Sequence, residues 1–402
     1  MRKRTVPQIV AVLALAVAGG ADWRQFRGTD NASCSHQAGL PTEFSAEKNV
    51  AWKADLPGRG AASPIVVGDR VFVTASSGAE QDRLHLLAFC AADGSRLWHR
   101  QLWATGHTEY SPFGAVAVNT PASDGRCVVA FFSSNDIACF DLDGNLKWFR
   151  GLAHDCPTTR NDVGMASSPL IVGQVVVVQC QNQGESFAAG LDLRTGLTRW
   201  RIGRQRDAIW SSPTVLRGPP PSGDLVLLHA RDALTGHDPL SGEVVFRYEA
   251  RCHTIASVTT RGNRIYLPAE GLCALQYDPV SRGIEPLWFQ RSLRGNNSSP
   301  VACGDYVYQV RSPAILSCAA AVDGRKLWDV RLEGAVWATP VVAGGQVYVA
   351  NHEGQVFVVR TGKKGELLSR CQADRGMLAS PAVAGKALYL RSHGQLWKIA
   401  AN

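Results

Sequence analysis

Residues 324–354 read GRKLWDVRLEGAVWATPVVAGGQVYVANHEG, and this stretch decides the fold. It holds a strand carrying Trp328 (Lys326 to Leu332), a Thr339-Pro340 start, a short alternating strand, a Gly344-Gly345 turn, a second alternating strand (Gln346 to His352) and another glycine turn. Apolar and polar residues alternating between tight glycine turns is the pattern of half-buried antiparallel strands. The stretch is a four-stranded meander seen across its own boundary, and the rest of the chain is copies of it.

The Ser/Thr-Pro start recurs at Pro64, Pro121, Pro169, Pro213, Pro300, Pro340 and Pro381, with a degraded copy at Ser257-Val258. Successive starts lie 57, 48, 44, 45, 42, 40 and 41 residues apart, close to the length of one four-stranded propeller blade. A second anchor, a glycine turn leading into a strand with a tryptophan, appears at Asp93 to Trp98, Asp143 to Trp148, Arg194 to Trp200 and Asp323 to Trp328. Weaker copies are Ser241 to Phe246, Arg282 to Trp288 and Lys364 to Ser369. These outer strands number one fewer than the starts, and the missing one is NVAWKADL, Asn49 to Leu56, which has no blade before it. Only three strands follow Pro381, so pairing the N-terminal strand with them closes the ring and protects its sheet edges. The expected fold is all-β: an eight-bladed β-propeller of four-stranded antiparallel blades.

A chain of 402 residues would ordinarily suggest two or three domains. Blades bury their faces only against one another, so the repeat argues for a single domain over residues 49–402. The first residues have a basic start (Arg2, Lys3, Arg4), an apolar run from Ile9 to Val17 and small residues to Ala21. This is the layout of a secretory signal peptide over residues 1–21, too short in its apolar run to span a membrane. The expected location is periplasmic or secreted. No Cys follows the run closely, which argues against lipid attachment. Residues 22–48 carry turn formers and little periodicity, so they read as an irregular strap across the ring, pinned by Trp23 and Phe26.

The formal charge of +8 is spread through all the blades without a basic, aromatic-interleaved stripe, so nucleic acid is not an expected partner. The ten histidines show no metal-ligand spacing, there is no G-x-S-x-G elbow, and His253 and His352 read as polar strand-end residues. Eleven cysteines in an exported chain raise the question of disulfides. Cys90, Cys139, Cys273 and Cys318 fall on third strands, where buried free thiols are expected. Cys127 and Cys139, on the two arms of one hairpin, are the first candidates for a bridge, subject to register.

Two long loops, Trp103 to Asn119 and Ala153 to Met165, join blades on the edge from which the innermost strands start. Long loops on one face of a rigid ring either build a binding surface or cover the channel mouth. The Pro219 to Pro221 extension lies on the opposite face. Residues just before the innermost strands converge on the mouth and bring Arg59, Arg160, Asn161, Trp210, Asn296, Asn297, Trp337 and Arg375 together as the candidate ligand-binding set. Arginine, asparagine and aromatics there suit an anionic or polar ligand or a peptide strand, or serve to satisfy backbone groups and fill the pore.

With their Ser-Pro starts and D-x-x-x-G-x-x-x-W ends, the repeats over Asn49 to Asn402 resemble the pyrroloquinoline-quinone (PQQ)-like propeller repeat family. That family spans quinoprotein alcohol dehydrogenases and the propeller subunit of the outer-membrane barrel-assembly machinery. The opening DWRQFRG, the segment Asn135 to Trp148 and the closing Ala379 to Ser392 are similar to one exported bacterial branch of it. The resemblance implies that Trp98, Trp148, Trp200, Trp288 and Trp328 dock onto neighbouring blades. It also implies what an enzyme of the family would carry, a vicinal Cys-Cys wall and a Ca²⁺ site beside the quinone, and this chain has no adjacent cysteines. The reading is an exported, monomeric, non-catalytic scaffold with no cofactor, binding protein partners or a polar small ligand, with a role in cell-envelope assembly. The alternative is a PQQ and Ca²⁺-dependent oxidoreductase. A hydrolase or lyase built on the loops is a third option.

Overall fold

The computed structural model describes residues 22–160, 163–220 and 223–401. The expected signal peptide, Asn161 and Pro221 lie outside the described residues. Eight four-stranded antiparallel blades surround one axis, and their innermost strands lie in contact with their neighbours. These strands are Ile65–Val67, Ala122–Ser123, Leu170–Val172, Thr214–Leu216, Thr259–Arg261, Val301–Cys303, Val341–Ala343 and Ala382–Ala384, for blades 1 to 8 in turn. The eighth blade is completed by Val50–Asp55, which pairs antiparallel with Gln395–Ala400. Ring closure is as expected.

Both faces of each middle strand are needed, because each blade is covered by two neighbours. In blade 1, Val71, Val73 and Leu87 pack toward blade 8, while Phe72, Leu86 and Ala88 pack toward blade 2. In blade 3 the whole strand Val175–Cys180 is buried. Strands covered on both faces lose polar alternation and read as continuous apolar runs.

The Gly-to-Trp spacing of the repeat has a tertiary cause. The outer pair of every blade shifts register immediately before the tryptophan position, as between Gly190↔Trp200 and Leu191↔Thr198. A bulge there re-aims the side chain across the blade boundary. Trp200 then lies on Gly242 of the next blade and donates from its Nε1 to Pro239 O at 2.9 Å. Gly242 has φ +76°, and a Cβ on it would come within 2.6 Å of the indole. The same docking joins Trp52 to Gly94, Trp98 to Gly144, Trp148 to Gly196, Trp288 to Gly324 and Trp328 to Gly365. Trp52 thus closes the ring by the contact that builds it.

Two junctions lack the tryptophan. Between blades 4 and 5, Phe246 packs on Tyr277 with ring centroids 5.4 Å apart. At blade 7, where Ser369 takes the tryptophan's place, the strap supplies the cover: Phe44 and Leu40 are buried in the core it shares with blade 8. The Phe44 N–H donates to Cys371 Sγ, and Ser369 Oγ donates to Thr42 O.

The strap also makes a two-residue parallel strand, Cys34–Ser35, beside Val341–Ala343, and Cys34 is disulfide-bonded to Cys303 of blade 6. This pairing corrects the expected Cys127–Cys139 bridge. Their hairpin pairs Cys127 with Asp141 and Val129 with Cys139, so the two cysteines are diagonal, and both are free thiols. The neighbouring Cys139 and burial push the Cys127 thiol up. Cys139, Cys273 and Cys318 are buried free thiols, and Cys90 is a half-buried one.

Buried histidines make stability depend on pH, and His229 is the most fully enclosed of those pulled down to about 4. His229 is 2% exposed, with Nε2 2.9 Å from His253 O, and burial holds it down at about 4 against an ordinary 6.5. Below pH 6.5 the unfolded chain takes up a proton that the folded chain refuses, so stability falls as pH drops toward 4. The expected loss is ~3 kcal/mol for this group. Urea midpoints at pH 7 and pH 4.5 check it, and His229→Gln should reduce the difference without abolishing it, because burial also holds down His85, His237 and His253.

Candidate binding site

The structure gives the Ser/Thr-Pro start a physical reason. In seven of the eight blades the backbone N–H of this Ser or Thr donates to the hydroxyl of its counterpart in the next blade. The bonds run Ser63 to Thr120, Thr120 to Ser168, Ser168 to Ser212, Ser212 to Ser257, Ser257 to Ser299, Ser299 to Thr339 and Thr339 to Ser380, at 2.9–3.2 Å. A short hydroxyl side chain reaches across the blade boundary, and the proline after it adds no N–H to satisfy. Blade 5 keeps Ser257 although Val258 replaces its proline, so the hydroxyl is the part that the ring uses.

The strap closes one end of the channel. It bonds in turn to blade 1 (Trp23 with Val66), blade 2 (Arg24 O with Ser123 N–H) and blade 3 (Gln25 Oε1 with Ile171 N–H). Trp23 is buried as expected, whereas Phe26 is half-buried and turned toward the channel. Above it lies a cup of about 410 Å³, walled by the hydroxyl ring and by apolar side chains including Val118, Val163, Trp210, Ile255, Trp337 and Leu378. The long loops form its rim and partly cover it. Phe113 crosses from the first loop to meet His352 of blade 7 edge-on at 5.9 Å. The loops join each other through Ser111 N–H to Val163 O and a Glu109–Arg160 ion pair of 2.8 Å. Phe113 is 58% exposed and Trp337 44%.

The residues expected at the mouth are only partly gathered. Trp210, Asn297 and Trp337 line the cup. Trp210 is held by its Nε1 bond to Gly164 O at 2.8 Å. Asn296 is spent on backbone and turn: it donates to Val336 O and accepts from Ser298 N–H and Oγ. Arg59 donates to Pro112 O of the loop, Arg160 pairs with Glu109, and Arg375 is exposed; none of the three lines the cup. Long side chains at a rim reach water more readily than a narrow channel. The cup is therefore more apolar than the arginine-rich reading implied.

Two arginines that the sequence did not mark are buried around the cup. Arg27, from the strap, is 1% exposed. It donates to Thr214 Oγ1 at 3.1 Å, and also to Thr259 Oγ1 and Val258 O, and sits 5.5 Å from the Phe26 ring centroid. Arg391, also 1% exposed, donates to Ala62 O at 2.9 Å behind the wall of the cup. Burial pulls both guanidinium groups down to about 9. Among the described residues neither has a carboxylate partner. Arg27 lies in a strap with no repeat to locate it, and Arg391 ends an ordinary strand, so no sequence pattern distinguishes them.

Among the described residues lining the cup there is no carboxylate and no histidine, so the donor set does not fit a Ca²⁺-bound quinone, which needs anionic oxygen ligands. A Ser77–His85–His99 line, with bonds of 2.8 and 2.9 Å, has the look of a relay. It lies outside the cup, and the Gly58 backbone packs over it: a Cβ on Gly58 would stand 2.9 Å from that of Ser77. His253 accepts from the Ile255 and Ala256 N–H groups, a turn role in keeping with its sequence reading.

The fold is shared with solved structures at low identity. BamB from Moraxella catarrhalis is 16% identical with a TM-score of 0.65, over 87% of this chain and 99% of that one. A europium-containing methanol dehydrogenase is 14% identical with a TM-score of 0.71, over 93% and 90% of the two chains. Quinohemoprotein alcohol dehydrogenase from Comamonas testosteroni is 12% identical with a TM-score of 0.69, over 95% and 81%. No curated protein matches the chain. The family described as outer membrane protein assembly factor BamB matches residues 42–204 and 188–402. On that match, which takes in nearly the whole propeller, the chain belongs to the BamB-type family of PQQ-like β-propellers.

Proposed function

We propose that this protein is an exported, non-catalytic binding scaffold of the cell envelope whose working surface is the aromatic-rimmed cup. One observation carries the reading: a rigid ring, closed from below by its own strap, presents exposed Phe113 and Trp337 over a cavity whose described lining bears no ionisable side chain. Concave, mostly apolar sites with a few fixed polar groups are the common form of ligand sites, and aromatic side chains at such sites carry much of the binding energy. The family's name supports a role in assembly. No described helix is long and apolar enough to cross a membrane.

Nile red, an uncharged apolar dye, tests the cup. The chain from Asp22 should bind it saturably, and Trp337→Ala or Phe113→Ala should weaken binding by about 10-fold or more, as expected for truncating an anchor worth ~2 kcal/mol, with unchanged melting temperatures. Wild-type protein that does not bind the dye would sink the reading. In parallel, PQQ with Ca²⁺ should give no dye reduction with simple alcohols, and turnover there would replace the scaffold with an oxidoreductase.

A further inference from the structure

The hydroxyl ring has unused capacity. Each of its seven accepting hydroxyls takes a neighbour's N–H through its oxygen. A hydroxyl that accepts still has one O–H to donate, and among the described residues none of these seven donates to a protein acceptor. Six of the seven belong to residues that line the cup, with Ser212 and Ser257 among them. Accepting a bond also polarises the O–H and strengthens its donation. The cup is thus a converging set of donors with few competing acceptors.

The charge around it points the same way. Arg27 is anchored to Thr214 and Thr259, which stand two residues beyond the ring residues Ser212 and Ser257, so its guanidinium lies one layer below the ring. Arg391 stands behind the opposite part of the wall, bonded to Ala62 between two lining residues. Arg27 Nε, Arg391 Nε and Arg391 Nη2 are buried without a protein partner among the described residues. Buried cations lacking a counter-charge are costly, and their field falls on a cavity whose described walls carry no acid to cancel it.

We propose that the cup takes an amphipathic anion, a carboxylate on an aromatic or aliphatic body, with its head among the ring hydroxyls above Arg27 and its body against Trp210 and Trp337. The inference rests on the cup being the binding site, and adds the charge of what enters it. Two positive groups and a donor ring select the head. The apolar rim selects the body.

The test compares 4-phenylbutyrate with its neutral amide, 4-phenylbutyramide, by calorimetry on the chain from Asp22, with the change in intrinsic tryptophan fluorescence and its loss in Trp337→Phe as a second signal. The acid should bind at least about 10-fold tighter than the amide, and the preference should persist in about 0.5 M salt, because buried charges are screened little. Arg27→Gln should lower the acid-to-amide ratio, and Arg27→Lys should keep more of it than the glutamine does. Equal binding of acid and amide overturns the anion inference and leaves the apolar cup standing. A preference that salt abolishes also overturns it, by assigning the effect to exposed rim arginines such as Arg59 and Arg375. If neither compound binds, the inference falls, and Nile red binding then separates that failure from failure of the cup itself. If Arg27→Gln does not fold, the wild-type acid-to-amide ratio still decides.

Discussion

Trp200→Ala should lower the unfolding free energy by about 3–5 kcal/mol, the cost of truncating a buried large aromatic. Trp200 is 7% exposed, covers Gly242 of the next blade and donates to Pro239 O. Truncation removes the packing and leaves a carbonyl at the blade boundary without its donor. Gly242→Ala attacks the same contact from the other side and should also be strongly destabilising. The new Cβ would stand 2.6 Å from the indole, at a φ of +76° that side chains resist. Urea midpoints of both single variants and the double variant are the check. In the double variant the clash is gone, so the two losses should not add. Additive losses would mean that the two residues act separately, and that the repeat's Gly-to-Trp spacing is not an inter-blade lock.

The second large effect is expected from the strap. Its disulfide joins Cys34 to Cys303 across 269 residues, with Cα atoms 5.7 Å apart. Replacing both cysteines by serine should cost about 2–5 kcal/mol, the span seen when a native disulfide is removed. The loss has a functional side, because the same strap carries Phe26, the base of the cup, and Arg27 beneath it. Dye binding should therefore weaken together with stability. An unchanged urea midpoint would show that Trp23, Arg27 and Phe44 hold the strap unaided.

Much of this architecture was legible because a propeller repeats its contacts. Every blade needs a hydroxyl at its start and nearly every blade a Gly-turn and a tryptophan at its end, so a tertiary requirement appears eight times as a local motif. The degraded copies were informative for the same reason. Ser257 kept the hydroxyl and lost the proline, and Ser369 lost the tryptophan where Phe44 of the strap takes over. The strap itself has no repeat. It bonds the equivalent innermost-strand residues Val66, Ser123, Ile171, Val215 and Val342, but its own partners fall at irregular spacing, and nothing in a run of turn formers says that Arg27 will be buried or that Cys34 will find Cys303.

The sequence alone determined the number of blades, their four strands, the closure of the ring by Val50–Asp55 and the face on which the long loops lie. These follow from period and alternation, which local residue order records. The tertiary structure decided which side chains share the cup. It placed Trp210, Asn297 and Trp337 on the wall, turned Arg59, Arg160 and Arg375 to the rim, and buried Arg27 and Arg391 around the cavity. That choice depends on where long side chains find water or hydrogen-bond partners once the blades are in place. Sequence order carries no record of those distances.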